Sequence, residues 1–334
     1  MASVRSEELQ AWVAQALRET LVTLEPASAD ASFRRYFRVQ SRSRSCIVMD
    51  APPPREDCRP FVRVAGLLRD AGVHVPEVLA QDLSRGFLLL TDLGRRTYLE
   101  VLNADNADAL FADALAALIK WQQASQPEVL PPYDRALLRR ELQLFPEWYV
   151  GRHLQLTLTS AEQETLASVC RLLEDSALAQ PCVYVHRDYM PRNLMVSTPN
   201  PGVLDFQDAV YGPITYDVMS LFKDAFISWE EQQVRNWSRQ YWEQARSSAL
   251  PVPDDLAEFQ RAFDWMGVQR HLKVLGIFAR ISHRDGNPGY LKDAPRFMQY
   301  LRATGRHYKE FTPLLKLLDA LEQRAQQAGG VACR

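Results

Sequence analysis

Residues 183–208, VYVHRDYMPRNLMVSTPNPGVLDFQD, constrain this chain more than any other stretch. Three short apolar runs in it have the character of buried strands, namely residues 183–185, 194–196 and 203–206. The last two runs are separated by residues 197–202, which contain the Ser, Asn, Pro and Gly of a turn. We therefore predict that residues 194–206 form a β-hairpin preceded by a polar loop.

Three polar side chains lie on or next to this hairpin. Asp188 and Asn193 lie on the loop that feeds it, and Asp205 lies within its second strand. If the strands pair, Asn193 and Asp205 come within about one residue of facing each other. Two carboxylates and an amide oxygen would then converge on one small volume. Each residue alone would be an ordinary surface or turn residue, but the combination H-x-D-x-x-x-x-N, strand-turn-strand and L-D-F predicts a kinase-type site.

The types of these side chains suit phosphoryl transfer. Asp205 and Asn193 offer the hard oxygen ligands that Mg²⁺ accepts while it keeps waters and phosphate oxygens in its other positions. Asp188 then remains to accept the proton of an attacking hydroxyl and to direct that hydroxyl at the γ-phosphate of ATP.

Two segments carry a resemblance to a known family. HRDYMPRNLMV and VLDFQDAVYGPITYDVMSLFKD are similar to the aminoglycoside phosphotransferase and choline kinase-like family, and the resemblance extends over nearly the whole chain. It implies an α+β, bilobal protein-kinase-like fold. Residues 1–93 would form a small antiparallel-sheet N-lobe that covers the nucleotide, and residues 94–334 a larger, mainly helical C-lobe for catalysis and acceptor binding. It also implies structural roles for His186 and for Asp217, which would brace the catalytic loop.

Three further segments resemble one branch of this family. SDASFRRYFRV, CIVMDAPP and RISHRDGNPGYLKD are similar to the bacterial kinases that phosphorylate N-acetylmuramate and N-acetylglucosamine at the anomeric hydroxyl in cell-wall recycling. The resemblance implies a small amino-sugar substrate, with ATP and Mg²⁺ as cofactors. From the topology we expect the acceptor pocket beside Asp188 to include Gln207, Asp208, Trp148 and Arg270.

Nucleotide-binding residues are expected in the N-lobe. The link at residues 26–32 has no glycine, so Ser28, Ser32 and their backbone N–H groups would have to face the phosphates. Arg34 and Arg35 follow the link and could reach phosphate as planar donors. The resemblance further implies that backbone groups of a hinge bind the adenine edge, and the hinge residues are Thr91, Asp92 and Leu93.

The third predicted strand departs from the kinase pattern. Kinases carry there a lysine that pairs with the α/β-phosphates and with a helix glutamate. Here the strand reads CIVMD over residues 46–50, and the helix that begins near Pro60 contains Arg63 and Arg69 but no glutamate. Either Arg34 or Arg35 substitutes for the lysine, or the metal and backbone donors suffice.

The remaining pattern predicts a small sheet followed by helices. Apolar runs indicate five strands, at residues 21–24, 33–39, 45–50, 77–81 and 87–91. Before them, the spacing of Leu9, Trp12 and Val13 predicts an amphipathic helix that starts at Ser6. After Gly94 the chain reads as mostly helical, and Pro146 should divide a long helix over residues 135–154.

Composition excludes several functional classes. The net charge of the 334 residues is −2, which gives no electrostatic reason to bind nucleic acid or an anionic membrane. Five scattered cysteines without a C-x-x-C pair fit reduced thiols in the cytoplasm. The N-terminus has no apolar signal core, and no run is long enough to span a membrane. We expect a cytoplasmic monomer.

Two alternatives to an amino-sugar kinase remain at this point. The acceptor could be an aminoglycoside, choline or another alcohol, but binding of a cationic acceptor would favour strongly acidic residues around the site. The flanks of this site mix acids with arginines, namely Arg187, Arg192, Arg270 and Arg280. Loss of the strand lysine could instead signal a nucleotide-binding pseudokinase. The presence of Asp188, Asn193 and Asp205 argues against that alternative.

Overall fold

The structure, a computed structural model, describes residues 2–20, 22–29, 33–41 and 44–327. The chain divides into two compact units, each assembled from two stretches of sequence. One unit, here the sheet unit, comprises residues 1–121 and 192–209, and the other, the helical unit, comprises residues 122–191 and 210–334. The division into a nucleotide-covering lobe before residue 94 and a catalytic lobe after it concerns function and stays a prediction.

The sheet unit is built on an antiparallel sheet of five strands in the order β1-β2-β3-β5-β4. The strands are β1 Leu24–Ala29, β2 Arg35–Gln40, β3 Ser45–Asp50, β4 Val78–Asp82 and β5 Phe87–Thr91. Together with the mainly helical remainder of the chain, this sheet confirms the predicted α+β class. The bounds of β3 and β5 are those that the sequence predicts, because each strand contains an uninterrupted apolar run, at residues 46–49 and 87–90.

The first strand differs from its prediction. It begins at Leu24, where the predicted strand ends, and it continues through Pro26 and Ser28. Proline is tolerated there because β1 is an edge strand, and the pairing with β2 is irregular between Pro26 and Ser28. The second strand starts two residues later than predicted, since Phe33 is 57% exposed and contributes nothing to the core.

Helix α1, Ala2–Leu17, packs on this sheet. It begins before the predicted cap at Ser6, but its predicted apolar face is confirmed. Leu9, Trp12 and Val13 are buried, and they form one hydrophobic cluster with residues of β2, β3 and β5 such as Val48. Hydrophobic burial against one face therefore fixes α1 to the sheet.

The rest of the sheet unit is helical, apart from a short hairpin. The helices are α2 Arg59–Asp70, α3 Tyr98–Val101 and α4 Ala107–Gln123. A single 3₁₀ turn at Pro191–Asn193 leads into the hairpin, whose strands are β6 and β7 in the numbering used here, Leu194–Met195 and Gly202–Val203.

The helical unit contains most of the remaining chain. Its helices are α5 Arg135–Leu142, α6 Ser160–Leu178, α7 Thr215–Phe222, α8 Glu231–Ser247, α9 Leu256–Asp285, α10 Ala294–His307 and α11 Thr312–Gln327. Its other elements are a π-helical segment at Phe145–His153, 3₁₀ turns at Pro288–Asp293 and Lys309–Phe311, and two antiparallel strands at Cys182–Val185 and Val210–Pro213. The predicted break at Pro146 is confirmed, because α5 ends at Leu142 and the π-helical segment takes over.

Helix α9 is the central element of this unit. It has 30 residues, and most of its middle section is buried. A Cβ atom at Gly276 would lie 2.4 Å from the backbone carbonyl carbon of Leu144. Only glycine therefore allows α9 to pass so close to the chain between α5 and the π-helical segment.

The cysteines in the described part of the chain are reduced, and they differ in their solvent exposure. Cys46 and Cys58 are buried in the sheet unit, whereas in the helical unit Cys170 is half-buried and Cys182 is exposed. Burial raises the pKa of the Cys58 and Cys170 thiols to about 11. Among the described residues, no helix is both long enough and apolar enough to cross a membrane.

Candidate active site

The predicted hairpin is present but shorter than predicted, with strands Leu194–Met195 and Gly202–Val203. The prediction that Asp205 lies within the second strand is wrong, because the strand ends at Val203 and Asp205 follows it. The hairpin still brings two predicted site residues together. Leu194 pairs with Val203, and the N–H of Leu204 donates to the carbonyl oxygen of Asn193 at 2.9 Å. The Asn193 side-chain amide consequently lies beside the Asp205 carboxylate, with 3.4 Å between Nδ2 and Oδ2. The expectation that these two residues nearly face each other is confirmed.

Asp205 is held in an unusual backbone conformation. Its φ of 63° lies in the left-handed region, which costs a non-glycine residue on the order of 1–3 kcal/mol. One carboxylate oxygen accepts a hydrogen bond from Gln207 Nε2 at 2.9 Å. Gln207, predicted to contact the acceptor, therefore lies next to the Asp205 carboxylate, while its neighbour Asp208 is exposed.

The Asn193–Asp205 pair fits a Mg²⁺ ion better than a fully protein-bound metal. In the described part of the chain there is no group of three or more His, Cys, Asp or Glu side chains that could hold a metal. Mg²⁺ does not need one, because it retains waters and takes oxygens from bound phosphates. One carboxylate and one amide side by side are a donor set of that kind.

The hairpin is fastened within the sheet unit. The N–H of Val203 donates to the carbonyl of His74 at 2.8 Å, and a ring nitrogen of His74 lies 2.6 Å from the Pro199 carbonyl oxygen. A Cβ atom at Gly202 would lie 2.8 Å from the Leu93 side chain. Leu93, one of the predicted hinge residues, therefore packs directly on the hairpin that carries Asn193 and Asp205.

The side chains of the other two hinge residues form hydrogen bonds with neighbouring segments of the sheet unit. Thr91 Oγ1 accepts from the N–H of Glu77 at 2.9 Å. The Asp92 carboxylate accepts from Arg38 Nε at 2.6 Å, and Arg38 also donates to the carbonyl of Gly94 at 2.7 Å. The predicted nucleotide contact concerns the backbone of this segment and stays a prediction. Arg38 was not predicted, because it is one of three arginines in the predicted strand at residues 33–39 and nothing local distinguishes it from Arg34 and Arg35.

The two predicted phosphate-binding arginines have different surroundings. Arg35 and Arg5 both bind the carboxylate of Asp50, whose side chain is fully buried at the end of β3. Arg34 instead donates from Nε to Glu56 at 3.1 Å, and both of these side chains are mostly buried. In the kinase pattern a glutamate of α2 would pair with the strand lysine, and α2 contains no glutamate. Glu56 lies just before α2, so the Arg34–Glu56 pair forms near the start of that helix.

Of the two serines predicted to face phosphate, Ser28 lies in β1 opposite Tyr36. Ser32 lies outside the described residues.

In the helical unit, Asp217 binds the loop that carries Asp188. Its two oxygens accept from the backbone N–H groups of His186 at 2.6 Å and of Arg187 at 3.0 Å. Burial raises the pKa of Asp217 to about 7, and these hydrogen bonds only partly oppose that rise. The His186 side chain is buried, and its Nδ1 accepts from the N–H of Asp188 at 3.3 Å.

The Asp188 carboxylate is 40% exposed and lies next to positive charge. One of its oxygens is 3.5 Å from Arg270 Nη2. Burial alone would raise the pKa of Asp188, but Arg270, Lys273 and Arg187 together lower it below its ordinary value. The side chain is therefore an ionised carboxylate that can accept a hydrogen bond or a proton.

A buried polar network behind this loop was not predicted. Lys273 Nζ lies 2.8 Å from Glu141 Oε1 and 3.0 Å from the Tyr216 hydroxyl, and Glu141 also pairs with Arg187. Burial would raise the pKa of Glu141, but Lys273 and Arg187 lower it to about 2. No local signal separates Glu141 and Lys273 from the other charges of α5 and α9, because both helices also carry exposed arginines.

The last two residues predicted for the acceptor pocket lie in this unit as well. Trp148 is partly buried against the main hydrophobic core of the helices. The Arg270 side chain is only 7% exposed and donates to the Arg187 carbonyl and the Tyr216 hydroxyl. Their predicted contact with an acceptor stays a prediction.

Comparison with known proteins decides the family. Residues 23–259 match the model of the phosphotransferase enzyme family, which is more than half of the chain. The chain belongs to this family. Its members transfer phosphoryl groups. Membership of this family explains why the chain contains both the H-x-D-x-x-x-x-N loop and the hairpin.

Within the phosphotransferase family, the chain is similar to proteins named N-acetylmuramate/N-acetylglucosamine kinase. The one from Pseudomonas aeruginosa is 58% identical over 335 aligned residues, which cover 96% of this chain and 98% of that protein. The one from Pseudomonas putida is 56% identical over 333 residues, covering 97% and 98%. Among solved structures, choline kinase LicA from Streptococcus pneumoniae is similar in fold, with a TM-score of 0.64 at 13% identity and coverage of 89% of this chain and 99% of that one.

Proposed function

We propose that this phosphotransferase is an ATP- and Mg²⁺-dependent kinase that acts on the anomeric hydroxyl of an amino sugar in peptidoglycan recycling. The acceptor is N-acetylmuramate, N-acetylglucosamine or both. One observation carries this proposal: two Pseudomonas proteins with that name are more than half identical to this chain along nearly its whole length. The choline kinase, at 13% identity, supports the fold alone.

Asp188 is the proposed catalytic residue. Its carboxylate is ionised and partly exposed, so it can accept a hydrogen bond from the sugar hydroxyl and orient that oxygen. Transfer forms a bond between this oxygen and the γ-phosphorus, breaks the bond from that phosphorus to ADP and releases the hydroxyl proton to Asp188. An anomeric hydroxyl is more acidic than an ordinary alcohol. Asp188 can therefore act mainly by orientation, with proton transfer late in the reaction.

Asn193 and Asp205 are the proposed metal ligands. They are adjacent on the hairpin, and Gln207 fixes the orientation of the Asp205 carboxylate. Bound Mg²⁺ would neutralise charge on the phosphates of ATP. Asp217 has a structural role in this proposal, because it holds the backbone of His186 and Arg187 and touches no reacting atom.

The nucleotide is assigned to the sheet unit. Backbone groups of Thr91, Asp92 and Leu93 would meet the adenine, and the segment from Ser28 through Ser32 would meet the phosphates. Of the two arginines, Arg34 is the proposed phosphate contact, because it pairs with Glu56 near the start of α2 as the strand lysine of kinases pairs with a helix glutamate, whereas Arg35 shares the buried Asp50 with Arg5. We further propose that the enzyme is a cytoplasmic monomer.

An ADP-release assay across a panel of acceptors tests this function. The panel contains N-acetylmuramate, N-acetylglucosamine, an aminoglycoside and choline, together with the 1-O-methyl glycoside of N-acetylglucosamine as a matched control. We expect turnover with the free amino sugars only, and a phosphorus NMR signal of an anomeric phosphate in the product. Turnover of the methyl glycoside would show that another hydroxyl reacts. A preference for choline or the aminoglycoside would refute the proposed acceptor.

A further inference from the structure

The backbone of the catalytic loop is strained next to Asp188. Arg187 has a φ of 76°, in the left-handed region that costs a non-glycine residue on the order of 1–3 kcal/mol. Such a conformation persists only where the surroundings hold it. The Arg187 N–H donates to Asp217 at 3.0 Å, and its guanidinium pairs with Glu141. Its carbonyl oxygen accepts from Arg270 Nη1 at 2.7 Å. All three polar parts of Arg187 are therefore bound.

Arg270 binds this loop at two points. While Nη1 donates to the Arg187 carbonyl, Nη2 lies 3.5 Å from Asp188 Oδ1. A planar guanidinium with several donors in fixed directions can bridge two acceptors in this way, whereas an ammonium cannot hold the same geometry. The hydroxyl of Tyr216, 3.0 Å from Nη1, fixes the guanidinium from a third side.

Helix α9 supplies a second cation to the same place. Lys273 lies three residues after Arg270, so the two side chains project from one side of the helix. Lys273 binds the Tyr216 hydroxyl at 3.0 Å and the Glu141 carboxylate at 2.8 Å. Buried cations are costly unless they are paired. Glu141 balances Lys273 and Arg187, and Asp188 is the carboxylate that meets Arg270.

We propose that Arg270 is the positioning residue of Asp188: its guanidinium fixes the Arg187 carbonyl and the Asp188 carboxylate together, so that α9 sets the direction of the catalytic side chain. This inference rests on the proposed function, in which Asp188 orients the acceptor. It gives Arg270 a role other than the substrate contact expected from the sequence. Lys273 and Glu141 stabilise this arrangement through their contacts with Tyr216 and Arg187.

A double-mutant cycle between Arg270 and Asp188 tests this inference. The variants are Arg270→Met, Arg270→Lys, Asp188→Asn and the two combinations with Asp188→Asn. Arg261→Met is the matched control, because Arg261 lies earlier on α9 and pairs with Glu310 at the surface. For each variant, kcat, both KM values, nucleotide affinity by calorimetry and the melting temperature are measured.

We expect Arg270→Met to lower kcat by about 10²-fold, the cost of misplacing a reacting group, with both KM values within about threefold of wild type. Arg270→Lys should recover part of that loss, and Arg261→Met should leave kcat unchanged. In the Asp188→Asn background, Arg270→Met should lower kcat little further, because a residue that acts only through Asp188 then has no carboxylate to position.

Two results would overturn the inference. Equal losses from Arg270→Met with and without Asp188 would show that Arg270 acts independently, and a selective rise in the sugar KM would make it a substrate contact. If Arg270→Met does not fold, the same cycle with Arg270→Lys decides between these outcomes. A wild-type rate for Asp188→Asn alone would refute the proposed catalytic role of Asp188, which is a different failure.

Discussion

The carbonyl oxygen of Asn193 accepts a hydrogen bond from the N–H of Leu204, at 2.9 Å, across the base of a two-residue hairpin ladder. This one bond fixes the spacing between the two proposed metal ligands, because Asp205 is the next residue after Leu204. The short ladder therefore has a direct bearing on metal binding.

Asp205→Asn should weaken binding of Mg²⁺–ATP and abolish turnover without unfolding the protein. The amide keeps the size of the side chain but removes the negative charge that attracts the ion. Calorimetric titration with Mg²⁺–ATP measures the loss, and circular dichroism checks the fold. Asp105→Asn, an exposed aspartate of the same unit, is the matched control. Wild-type affinity in a folded Asp205→Asn protein would remove Asp205 from the metal site.

Asp188→Asn should slow phosphoryl transfer without weakening the binding of Mg²⁺–ATP. Removal of a base or an orienting group costs on the order of 10²–10⁴ in rate, while a residue that holds no metal has little effect on nucleotide binding. Calorimetry should therefore give a near wild-type affinity for Mg²⁺–ATP, and single-turnover assays a slow transfer. Asp254→Asn, with a side chain that is 98% exposed, serves as the control. A joint collapse of affinity and rate would mean that Asp188 holds metal.

The two adjacent arginines of the sheet unit should behave differently. Arg34→Ala should raise the KM for ATP more than the KM for the sugar if Arg34, as proposed, takes the place of the missing strand lysine. Arg35→Ala should instead lower the free energy of unfolding by on the order of 1–3 kcal/mol, since the buried Asp50 loses one of its two charged partners. Steady-state kinetics and urea unfolding measure these effects. Equal and negligible effects on the KM for ATP in both variants would leave the phosphates to backbone donors and metal.

The pKa of Asp217 predicts a pH dependence of stability. Burial raises it from 3.8 to about 7, so between those values the unfolded chain releases a proton that the folded protein retains. The wild type should therefore lose up to about 4 kcal/mol of stability relative to Asp217→Asn as the pH rises from about 4 to about 7, and no more above that.

Urea unfolding of both proteins across this pH range measures that difference, and effects of other carboxylates cancel in it. The charged groups that face Asp217 are Arg270, which opposes the rise in pKa, and Asp188, which adds to it. A pH-independent difference between the two proteins would show that Asp217 is ionised throughout.

Two helix glycines should respond oppositely to alanine. Gly276→Ala would place a Cβ atom 2.4 Å from the Leu144 backbone, so we expect a loss of about 1–3 kcal/mol from overpacking. Gly66 in α2 has no atom within 4 Å of the corresponding position, and Gly66→Ala should stabilise the protein by about 0.5–1 kcal/mol through better helix propensity. Thermal unfolding measures both. A neutral Gly276→Ala variant would mean that α9 can shift away from Leu144.

The parts of the site that follow from the sequence are those set by local spacing. Asn193 and Asp205 belong to one hairpin, and an apolar run on each side of a turn is enough to predict that they meet. Asp217 could be assigned by resemblance, because it lies in a recognisable segment soon after the hairpin. In each case the partners are close in the chain or share a motif.

The parts that sequence reasoning missed depend on which distant segments pack together. Glu141 and Lys273 look like ordinary helix-surface charges until α5 and α9 bury them side by side. The first strand was misplaced because Pro26 reads as a breaker, and only the position of β1 at a sheet edge makes that proline acceptable. Arg34 and Arg35 were indistinguishable in sequence, and their different carboxylate partners separate them.

The distribution of the cysteines gives this protein built-in probes of its local dynamics. Cys46, on the central strand β3, and Cys58, just before α2, are buried, so each can react with a thiol reagent only when the sheet unit opens. Exposed Cys182 supplies the fast reference rate. Alkylation followed by peptide mass spectrometry would thus yield opening free energies at two places in the sheet unit from the unmodified wild-type chain, with and without nucleotide.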